Sequence, residues 1–318
     1  MWRYILKRLL WMIVVLLGVA LLIFTITYFS SGNPAEYLLG SSATEEEIRD
    51  MEHILGIDEP YFVQLGKFLY NTFIRFDLGE SWTYHQSVSG EILSRLPRTL
   101  MMGLISMIIT TIGGIPLGIL AARHQGRWQD YGIIGICMVL ISVPEFWFAL
   151  MLVIAFALNL KWLPAYGVGS WKNYVLPIVA MLSGGFANIS RQTRSSYLEV
   201  MRADFVSTVR AKGQSEGAIT MKHVLPNALM PVITLLGGKF GMIVAGSAMI
   251  EKVFTIPGVG LYLLTGITYR DYPIIRGCAL FFAVFASVAM LLTDLAYAWL
   301  DPRIRAQYSS GKKRGTRK

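Results

Sequence analysis

Six long apolar segments constrain this chain more than any other feature of its sequence. A helix that crosses a bilayer needs about 20 mostly apolar residues. The segments that meet or approach this length are roughly 9–29, 98–122, 131–159, 174–190, 228–250 and 278–300. With 54% hydrophobic and 15% charged residues, the chain is also too apolar for an ordinary soluble domain. The sequence therefore predicts an all-α membrane protein with six transmembrane helices.

The distribution of Lys and Arg predicts which side of the membrane each connecting segment faces. Eighteen of these residues lie in four segments, 1–8, 123–130, 191–227 and 301–318. Nine lie in three segments that together are longer, 30–97, 160–173 and 251–276. Cytoplasmic loops accumulate Lys and Arg, so we expect the first set, and with it both termini, to be cytoplasmic. The net charge of +9 is then a topology signal and a contact for anionic lipid rather than evidence for nucleic-acid binding.

The segment 30–97 is predicted to be a helical extracytoplasmic loop after the first transmembrane helix. Thr44 precedes three glutamates, which is typical of a helix that begins with a side-chain cap and acids at the positive end of its dipole. Apolar residues then recur at helical spacing as far as Gly56, which predicts the end of that helix. A second amphipathic run lies between Phe62 and Phe73. We expect short helices on the membrane surface.

A charged island at residues 191–227 is predicted to dock another protein in the cytoplasm. It holds six Lys and Arg and three acids between long apolar runs. Gly213 separates two stretches that favour helix, which predicts a helix, a glycine turn and a second helix. The apolar side chains expected to enter a cleft on the partner are Ala218, Ile219 and Met221. An amphipathic helix lying on lipid headgroups is the alternative.

The last outside loop, 251–277, is predicted to lack a continuous helix. Pro257, Gly258 and Gly260 are expected to break it, and the apolar residues around them favour a re-entrant structure that dips towards the membrane. Irregular backbone survives at that depth only where protein or a water-filled path covers its polar groups. A tightly folded surface loop is the alternative.

Apart from Arg98 at the start of the second span, three charged residues lie within the predicted spans. Glu145 follows Pro144 in the third span, which is long and is predicted to be tilted or kinked at this proline. Lys239 lies near the middle of the fifth span, and Asp294 lies near the inner end of the sixth. A charge at mid-bilayer costs about 2.5–3.5 kcal/mol, so it should face a cavity or a partner. Lys239 is therefore predicted to line a translocation path with Glu145 nearby. The alternatives are a buried ion pair or a lysine that snorkels, whereas Asp294 is predicted to be structural.

The sequence does not support a catalytic site. All four histidines lie outside the predicted spans and no HExxH motif is present, which argues against a membrane metalloprotease. Gly237-Gly238-Lys239 lacks the earlier glycine of a P-loop and is followed by Phe240, so this chain is not expected to cradle ATP phosphates. We predict no catalytic, cofactor or metal site, and energy that comes from a partner.

The island resembles the permease motif of ATP-binding-cassette (ABC) importers, in the dipeptide, oligopeptide and nickel branch. In that motif a glycine and nine further residues precede a hydrophobic residue, any residue, Leu and Pro. Gly213 and Leu225-Pro226 match this spacing, and His223 occupies the hydrophobic position. Residues 207–209, Ser-Thr-Val, stand where the general motif has Glu-Ala-Ala. The form specific to the branch, with Ala211-Lys212-Gly213 and residues 223–227, is matched well.

The resemblance extends over nearly the whole chain. Further short matches to this branch are Leu55-Gly56-Ile57-Asp58 with Pro60, Asp77-Leu78-Gly79 with Ser81, Arg95-Leu96-Pro97 with Thr99, Phe146-Trp147, Leu163-Pro164, Glu251 with Phe254, Pro257-Gly258-Val259-Gly260, and Arg270-Asp271 with Pro273. The large outer loop resembles that of the first of the two permease subunits in these importers. Glu145 and Lys239 are not charged positions of the branch, so they are expected to tune substrate or packing here.

The resemblance implies the division of the chain and the residues that act. The divisions are residues 1–29 with the first span, the loop 30–97, a permease core 98–300 with a cytoplasmic coupling helix between the fourth and fifth spans, and a basic cytoplasmic tail 301–318. Coupling to ATPases is assigned to Ala211, Lys212, Gly213, Glu216, Ala218, Ile219, Met221, His223, Leu225 and Pro226. The candidate translocation path or gate contains Glu145, Lys239, Glu251, Phe254, Pro257, Gly258 and Gly260.

The resemblance also implies an assembly. Its other members are a second homologous permease, two cytoplasmic ATPases that bind ATP and Mg²⁺, and an extracytoplasmic solute-binding protein, in the plasma membrane of a bacterium or archaeon. Short peptides are the expected cargo, with nickel chelates, glutathione-like compounds and opines as alternatives. A secondary transporter or a channel is the alternative from a different class, although the repeat and coupling-ion residues of the former are not evident.

Overall fold

The computed structural model describes residues 2–40 and 42–300, and nearly all regular structure in these residues is helical. Extended backbone in this part of the chain pairs only in an isolated bridge between Glu80 and Ser87. The predicted basic tail, 301–318, lies outside the described residues. An all-α architecture is therefore confirmed for the described chain.

The helices follow one another with short connections. Their bounds are α1 Trp2–Tyr28, α2 Pro34–Leu39, α3 Glu45–Leu55, α4 Tyr61–Ile74, α5 Val88–Arg123, α6 Trp128–Ser142, α7 Glu145–Leu152 with a π-helical extension Val153–Asn159, α8 Lys172–Met201, α9 Asp204–Ala211, α10 Glu216–Ile219 with a π-helical extension Thr220–Val224, α11 Leu225–Ala228, α12 Met230–Gly246, α13 Ala248–Val253, α14 Val259–Tyr269 and α15 Tyr272–Leu300.

Fewer helices than predicted pass a test of span length and apolarity. The four described helices that pass are Leu6–Tyr28, Val88–Arg123, Met230–Val253 and Tyr272–Leu295. A fifth span results if α6 and α7 count as one, and these two helices meet at an angle of 96° beside Pro144, where a kink was predicted. The predicted span 174–190 lies within α8. It falls short because this helix carries small and polar residues such as Gly184, Gly185 and Asn188.

The chain divides into two compact units, and the first contains the residues up to Thr99, Val244–Ala248 and the chain from Pro257 onward. In this unit α1 packs along α15. Arg8 Nη2 lies 2.8 Å from Asp294 Oδ2, which fits the structural role predicted for Asp294. Arg276 donates a hydrogen bond of 2.7 Å to Thr27 Oγ1, and its guanidinium carbon lies 4.3 Å from the centre of the Phe24 ring.

The outer loop of the first unit folds as its local sequence predicts. Thr44 caps α3, because its Oγ1 accepts the Glu47 amide and its own amide donates to Glu47 Oε2 at 2.8 Å. Gly56 ends the helix in a left-handed conformation with φ 67°. The Gln64 side chain of α4 then donates to the carbonyls of Ile57 and Glu59 at 2.9 and 2.7 Å. In the structure α3 thus begins at a Thr44 cap and ends at Gly56, and α4 follows it.

The break predicted in 251–277 is present but shorter than expected. Helix α13 ends at Val253 and α14 begins at Val259, so Pro257 and Gly258 lie in the break. The prediction that Gly260 also breaks the helix is wrong, since it lies inside α14. A β-carbon at Gly260 would overlap Ala248, so the glycine serves close packing there. The buried Asp271 carboxylate accepts hydrogen bonds from Ser81 Oγ (2.7 Å) and the Thr83 amide (3.0 Å), which fixes the chain after α14.

The second unit contains Leu100–Ile243 and Met249–Ile256. Within it, α6 and α7 both pack against α8. One apolar core consists of the buried side chains of Met102, Ala149, Leu152, Leu176, Ala180, Ile250, Phe254 and Ile256. A second, smaller core lies beneath the charged island and contains Ala122, Tyr197, Val206, Ile219, Val224 and Ala228. The polar segment that interrupts the apolar runs is therefore anchored by a core of its own.

Candidate functional site

The coupling segment, which we define as residues 204–228, is a helix, a glycine turn and a second helix, as predicted. Helix α9 ends at Ala211, and Gly213 turns the chain with φ 80°, a left-handed conformation that glycine adopts without a steric penalty. Ser215 Oγ then caps the next helix by accepting the Ala218 amide at 3.4 Å. The sequence thus produces a sharp turn at Gly213.

An ion pair bridges this turn. Arg210 Nε and Nη2 lie 2.6 and 3.2 Å from Glu216 Oε1 and Oε2, and both side chains are exposed. The hydrogen bond from Arg210 holds the pKa of Glu216 below its usual value, so the carboxylate stays ionised at neutral pH. Further along, His223 Nε2 lies 3.0 Å from Gln214 Oε1. The ion pair therefore spans Gly213, whereas the contact between His223 and Gln214 lies within the chain that follows it.

The inward face of the coupling segment packs against the interior of this chain. Ile219 was predicted to enter a cleft on a partner, but it is fully buried beside Tyr197, Val206 and Val224. The Tyr197 hydroxyl lies 3.0 Å from Thr220 Oγ1, also in the interior. The helix spacing places Ile219 on the inward face, so its apolar character reflects packing within this chain.

The outer face of the segment remains available. Of the residues predicted to couple, those that are exposed are Ala211, Lys212, Gly213, Glu216, Met221 and Pro226. Those that are half-buried are Ala218, His223 and Leu225. Met221 keeps 63% of its surface exposed, against 42% for Phe205, the other exposed large apolar side chain of the segment. Met221 is thus the apolar side chain best placed to contact a partner.

Sequence reasoning missed a second ion pair, which joins α6 to the part of α8 before the segment. Arg194 of α8 donates two hydrogen bonds to Asp130, at 2.6 and 2.7 Å, and Asp130 also accepts the Gly126 amide at 3.0 Å. Asp130 is only 2% exposed, so its partners replace the water that it loses. Both residues lie in predicted cytoplasmic segments, but their separation of 64 positions gave no signal that they meet.

A polar recess opens beside the coupling segment. Its volume is about 340 Å³, and its lining includes Arg123, Gln125, Tyr197, Arg202 and Glu216. Arg202 Nη2 lies 3.4 Å from Gln125 Oε1. The recess has the size and the polar groups to accept a side chain of a docked protein.

The structure brings Glu145 and Lys239 to one cavity in the second unit. The cavity has a volume of about 400 Å³ and is also lined by Pro144, Ser183 and Asn188. The two charges attract each other, yet in residues 2–40 and 42–300 they form no ion pair within 4 Å. The expectation that Glu145 lies near Lys239 is met, and the alternative of a tight buried pair is not what the structure shows.

The other residues predicted for a path or gate lie elsewhere. Glu251 and Phe254 are buried, with Phe254 in the apolar core beside Met102 and Ala149. Gly258 and Gly260 are buried and Pro257 is half-buried. None of the five lines the cavity of Glu145 and Lys239. In this conformation they are buried or half-buried, and their predicted role in a path or gate stays a prediction.

Comparison with known families gives two adjoining matches. Residues 114–306 match the family described as binding-protein-dependent transport system inner membrane component. Residues 1–103 match the family of N-terminal segments of binding-protein-dependent transport system membrane components. Together these matches include the coupling segment, the charged cavity and the outer loop.

Curated relatives are similar over almost their full length. A dipeptide transport system permease protein of Alkalihalophilus pseudofirmus is 37% identical, with 96% of this chain and 100% of the relative covered. A glutathione transport system permease protein of Salmonella paratyphi A is 37% identical, with 96% and 99% covered. A putative peptide transport system permease protein of Brucella abortus is 38% identical, with 95% and 98% covered.

Solved structures share the fold at lower identity. A chain from a structure of inward-facing conformations of the MetNI methionine ABC transporter superposes with a TM-score of 0.57 at 17% identity. The match covers 66% of this chain and 96% of that chain. A second crystal form gives a TM-score of 0.51 at 20% identity, with 68% and 95% covered.

Proposed function

Because this chain belongs to the family of binding-protein-dependent transport system inner membrane components, we propose that it is an ABC importer permease that carries short peptides. It forms the translocation path together with a second, homologous permease. The observation that carries this proposal is the 37% identity, over 96% of this chain, to a dipeptide transport system permease. The chain itself is not an enzyme, and ATP hydrolysis takes place in partner subunits that bind ATP and Mg²⁺.

In this proposal the ATPases bind the coupling segment. Its exposed face offers Met221 and the Arg210–Glu216 pair, while Ile219 is anchored in the core below. A force on the exposed face would therefore pass through this core to α8, which supplies Tyr197 to it. Movement of packed helices as rigid bodies between two states is the expected response, with ATP and the binding protein biasing the states.

We further propose six transmembrane helices with both termini cytoplasmic, in a bacterial plasma membrane. The small and polar residues of α8 suit a helix that faces other protein or the path rather than lipid, which supports counting it as a span. The cavity of Glu145 and Lys239 then lies on the translocation path. The outer loop and the chain around Pro257 to Gly260 face the solute-binding protein.

A glutathione-like cargo is the second candidate. The relative from Salmonella paratyphi A, named for glutathione transport, is as similar to this chain as the dipeptide relative. Peptides and glutathione share amide bonds, an ammonium and a carboxylate, so one scaffold can serve both. The binding protein is expected to make the choice in each system.

Co-purification and reconstitution test the proposal. When the tagged chain is extracted in mild detergent, the second permease and the ATPases should accompany it. Proteoliposomes of this complex, supplied with the binding protein, should accumulate labelled dialanine only with ATP and Mg²⁺. Uptake by this chain without ATPases would instead establish a channel or a secondary transporter. Mass spectrometry of the ligand retained by the binding protein would separate peptide from glutathione.

A further inference from the structure

The cavity that Glu145 and Lys239 share combines one negative and one positive group that do not neutralise each other directly. Its lining comes from the end of α6, the start of α7, the middle of α8 and α12, all in the second unit. Neither charged group makes a hydrogen bond or an ion pair within 4 Å in the part of the chain that the structure describes. Opposite charges held apart across a cavity leave both free to bind a third group.

The backbone at the cavity has the form of a ligand site. Helices α6 and α7 break beside it, at Val143 and Pro144, and both of these residues line it. Broken helices within a membrane are tolerated where their free backbone groups meet a polar cavity, and such breaks supply binding groups in transporters. Glu145 is the first residue of α7, so the break itself positions the carboxylate.

Uncharged polar groups complete the lining. Asn188, which also lines the cavity, donates its side-chain amide to the Gly184 carbonyl at 2.8 Å, and its side-chain oxygen is a further acceptor. Ser183 lines the same wall of α8. The volume of about 400 Å³ lies within the range of about 300–1,000 Å³ that small-molecule sites occupy.

We propose that this cavity is a binding station for a zwitterionic solute, with the Lys239 ammonium on its carboxylate and the Glu145 carboxylate on its ammonium. This inference rests on the proposed importer function and narrows its cargo. One acid and one base balance a solute that carries one charge of each sign, such as a short peptide. Glutathione, with two carboxylates and one ammonium, leaves one negative charge unmatched. The station therefore favours peptides over the glutathione alternative.

Equilibrium binding to the purified complex, without the binding protein, isolates this station. The probe is radiolabelled dialanine, with N-acetyl-dialanine, dialanine amide and glutathione as competitors. Glu145→Gln and Lys239→Gln should each weaken dialanine binding about tenfold or more, as expected when one charge-assisted hydrogen bond is lost. In Glu145→Gln the acetylated peptide should compete as well as dialanine does, and in Lys239→Gln the amide should do so. Lys172→Gln, at an exposed lysine outside the cavity, is the matched control.

The double variant Glu145→Gln/Lys239→Gln decides between a ligand site and a mutual pair. The station predicts binding at least as weak as in either single variant, because both contacts are lost. Restored binding in the double variant, or equal binding of all four compounds to the unmodified protein, would overturn the inference. Failure of the proposed importer function has a different result. In that case proteoliposomes show no ATP-dependent uptake, both with the unmodified protein and with the variants at positions 145 and 239.

Discussion

The turn at Gly213 in the coupling segment and the turn at Gly56 in the outer loop share one construction. Each glycine is left-handed, with φ of 80° and 67°. Each turn is bridged by an exposed pair of opposite charge, Arg210 with Glu216 at 2.6 Å and His53 Nδ1 with Asp58 Oδ2 at 2.9 Å. In both, one helix ends at the turn and another begins within a few residues.

The two bridges differ in their response to protons. Arginine stays protonated at all physiological pH values, so the bridge at Gly213 is permanent there. Histidine titrates near neutrality, so the bridge at Gly56 depends on pH. Beneath the outer turn, the Gln64 side chain also ties two backbone carbonyls, whereas the coupling turn keeps an exposed face. The same left-handed glycine turn thus carries a bridge that does not change with pH at Gly213 and a bridge that depends on protonation at Gly56.

Among the variants that distinguish the two turns, Gly213→Pro should have the largest effect on stimulated ATP hydrolysis. Proline fixes φ near −65° and removes the amide that donates to the Arg210 carbonyl at 3.0 Å. We expect ATP hydrolysis stimulated by loaded binding protein to fall more than about tenfold, while the complex remains assembled in the membrane. Gly217→Ala is the control, because Gly217 has no left-handed φ and no atom within 4 Å of the added carbon. Normal stimulation in Gly213→Pro would refute the role of the turn.

Gly213→Ala and Gly56→Ala form a matched pair. A β-carbon meets no neighbour at either site, so each change costs only backbone strain, about 1 kcal/mol of unfolding free energy. Thermal unfolding of the complex should therefore shift by similar amounts. Stimulated hydrolysis should fall in Gly213→Ala and hold in Gly56→Ala. Equal losses of hydrolysis would show that the turns do not differ in function.

Glu216→Gln should give a smaller effect, on coupling alone. The pair with Arg210 is exposed, so its loss should leave thermal stability unchanged and lower stimulated hydrolysis about two- to threefold. High ionic strength should lower the activity of the unmodified protein in the same direction. Glu199→Gln, at an exposed glutamate of α8, should behave as wild type. A variant at position 216 that is indistinguishable from this control would exclude the bridge from coupling.

The pH response is the smallest expected difference. The hydrogen bond from Asp58 raises the pKa of His53, so the stabilisation from His53 is present below about pH 6.5 and is lost as pH rises through the raised value. The same bond lowers the pKa of Asp58, so the contribution of Asp58 is lost only in acid, below about pH 3.8. Glu216, whose pKa is also lowered, keeps its bridge above about pH 4.5.

Hydrogen exchange from pH 5 to pH 8, corrected for intrinsic rates, measures this contrast. Amides near Gly56 should lose protection as pH rises, and the amides of residues 210–213, beside the arginine bridge, should not. His53→Gln should remove the change at Gly56. A change at Gly213 of equal size, or one at Gly56 that persists in His53→Gln, would contradict the assignment.

The features that the sequence predicted are local in the chain. The cap at Thr44, the stop at Gly56 and the turn at Gly213 each depend on residues within a few positions, where propensity and backbone sterics decide. The kink beside Pro144 belongs to the same class. Residue types at these positions carry the structural information directly.

The features that escaped prediction depend on contacts between distant residues. Asp130 meets Arg194 across 64 positions, and Asp271 meets Ser81 across 190. The burial of Ile219 follows from the core that α8 and α9 complete around it, which no short pattern encodes. Gly260 was also predicted to break a helix, because the sequence pattern does not show that it packs against Ala248. One predicted span, 174–190, falls short in apolarity for a related reason, because α8 carries small residues that suit contact with other protein.

Site-specific photo-crosslinking in intact membranes tests most directly whether a separate ATPase binds the coupling segment. A benzophenone side chain at Met221, exposed on the segment, is compared with one at Phe62, exposed on α4 of the outer loop. The account predicts an adduct with an ATPase subunit at position 221, with a yield that changes with ATP, and none at position 62. Adducts to lipid alone at position 221, in membranes that contain the complete complex, would contradict it.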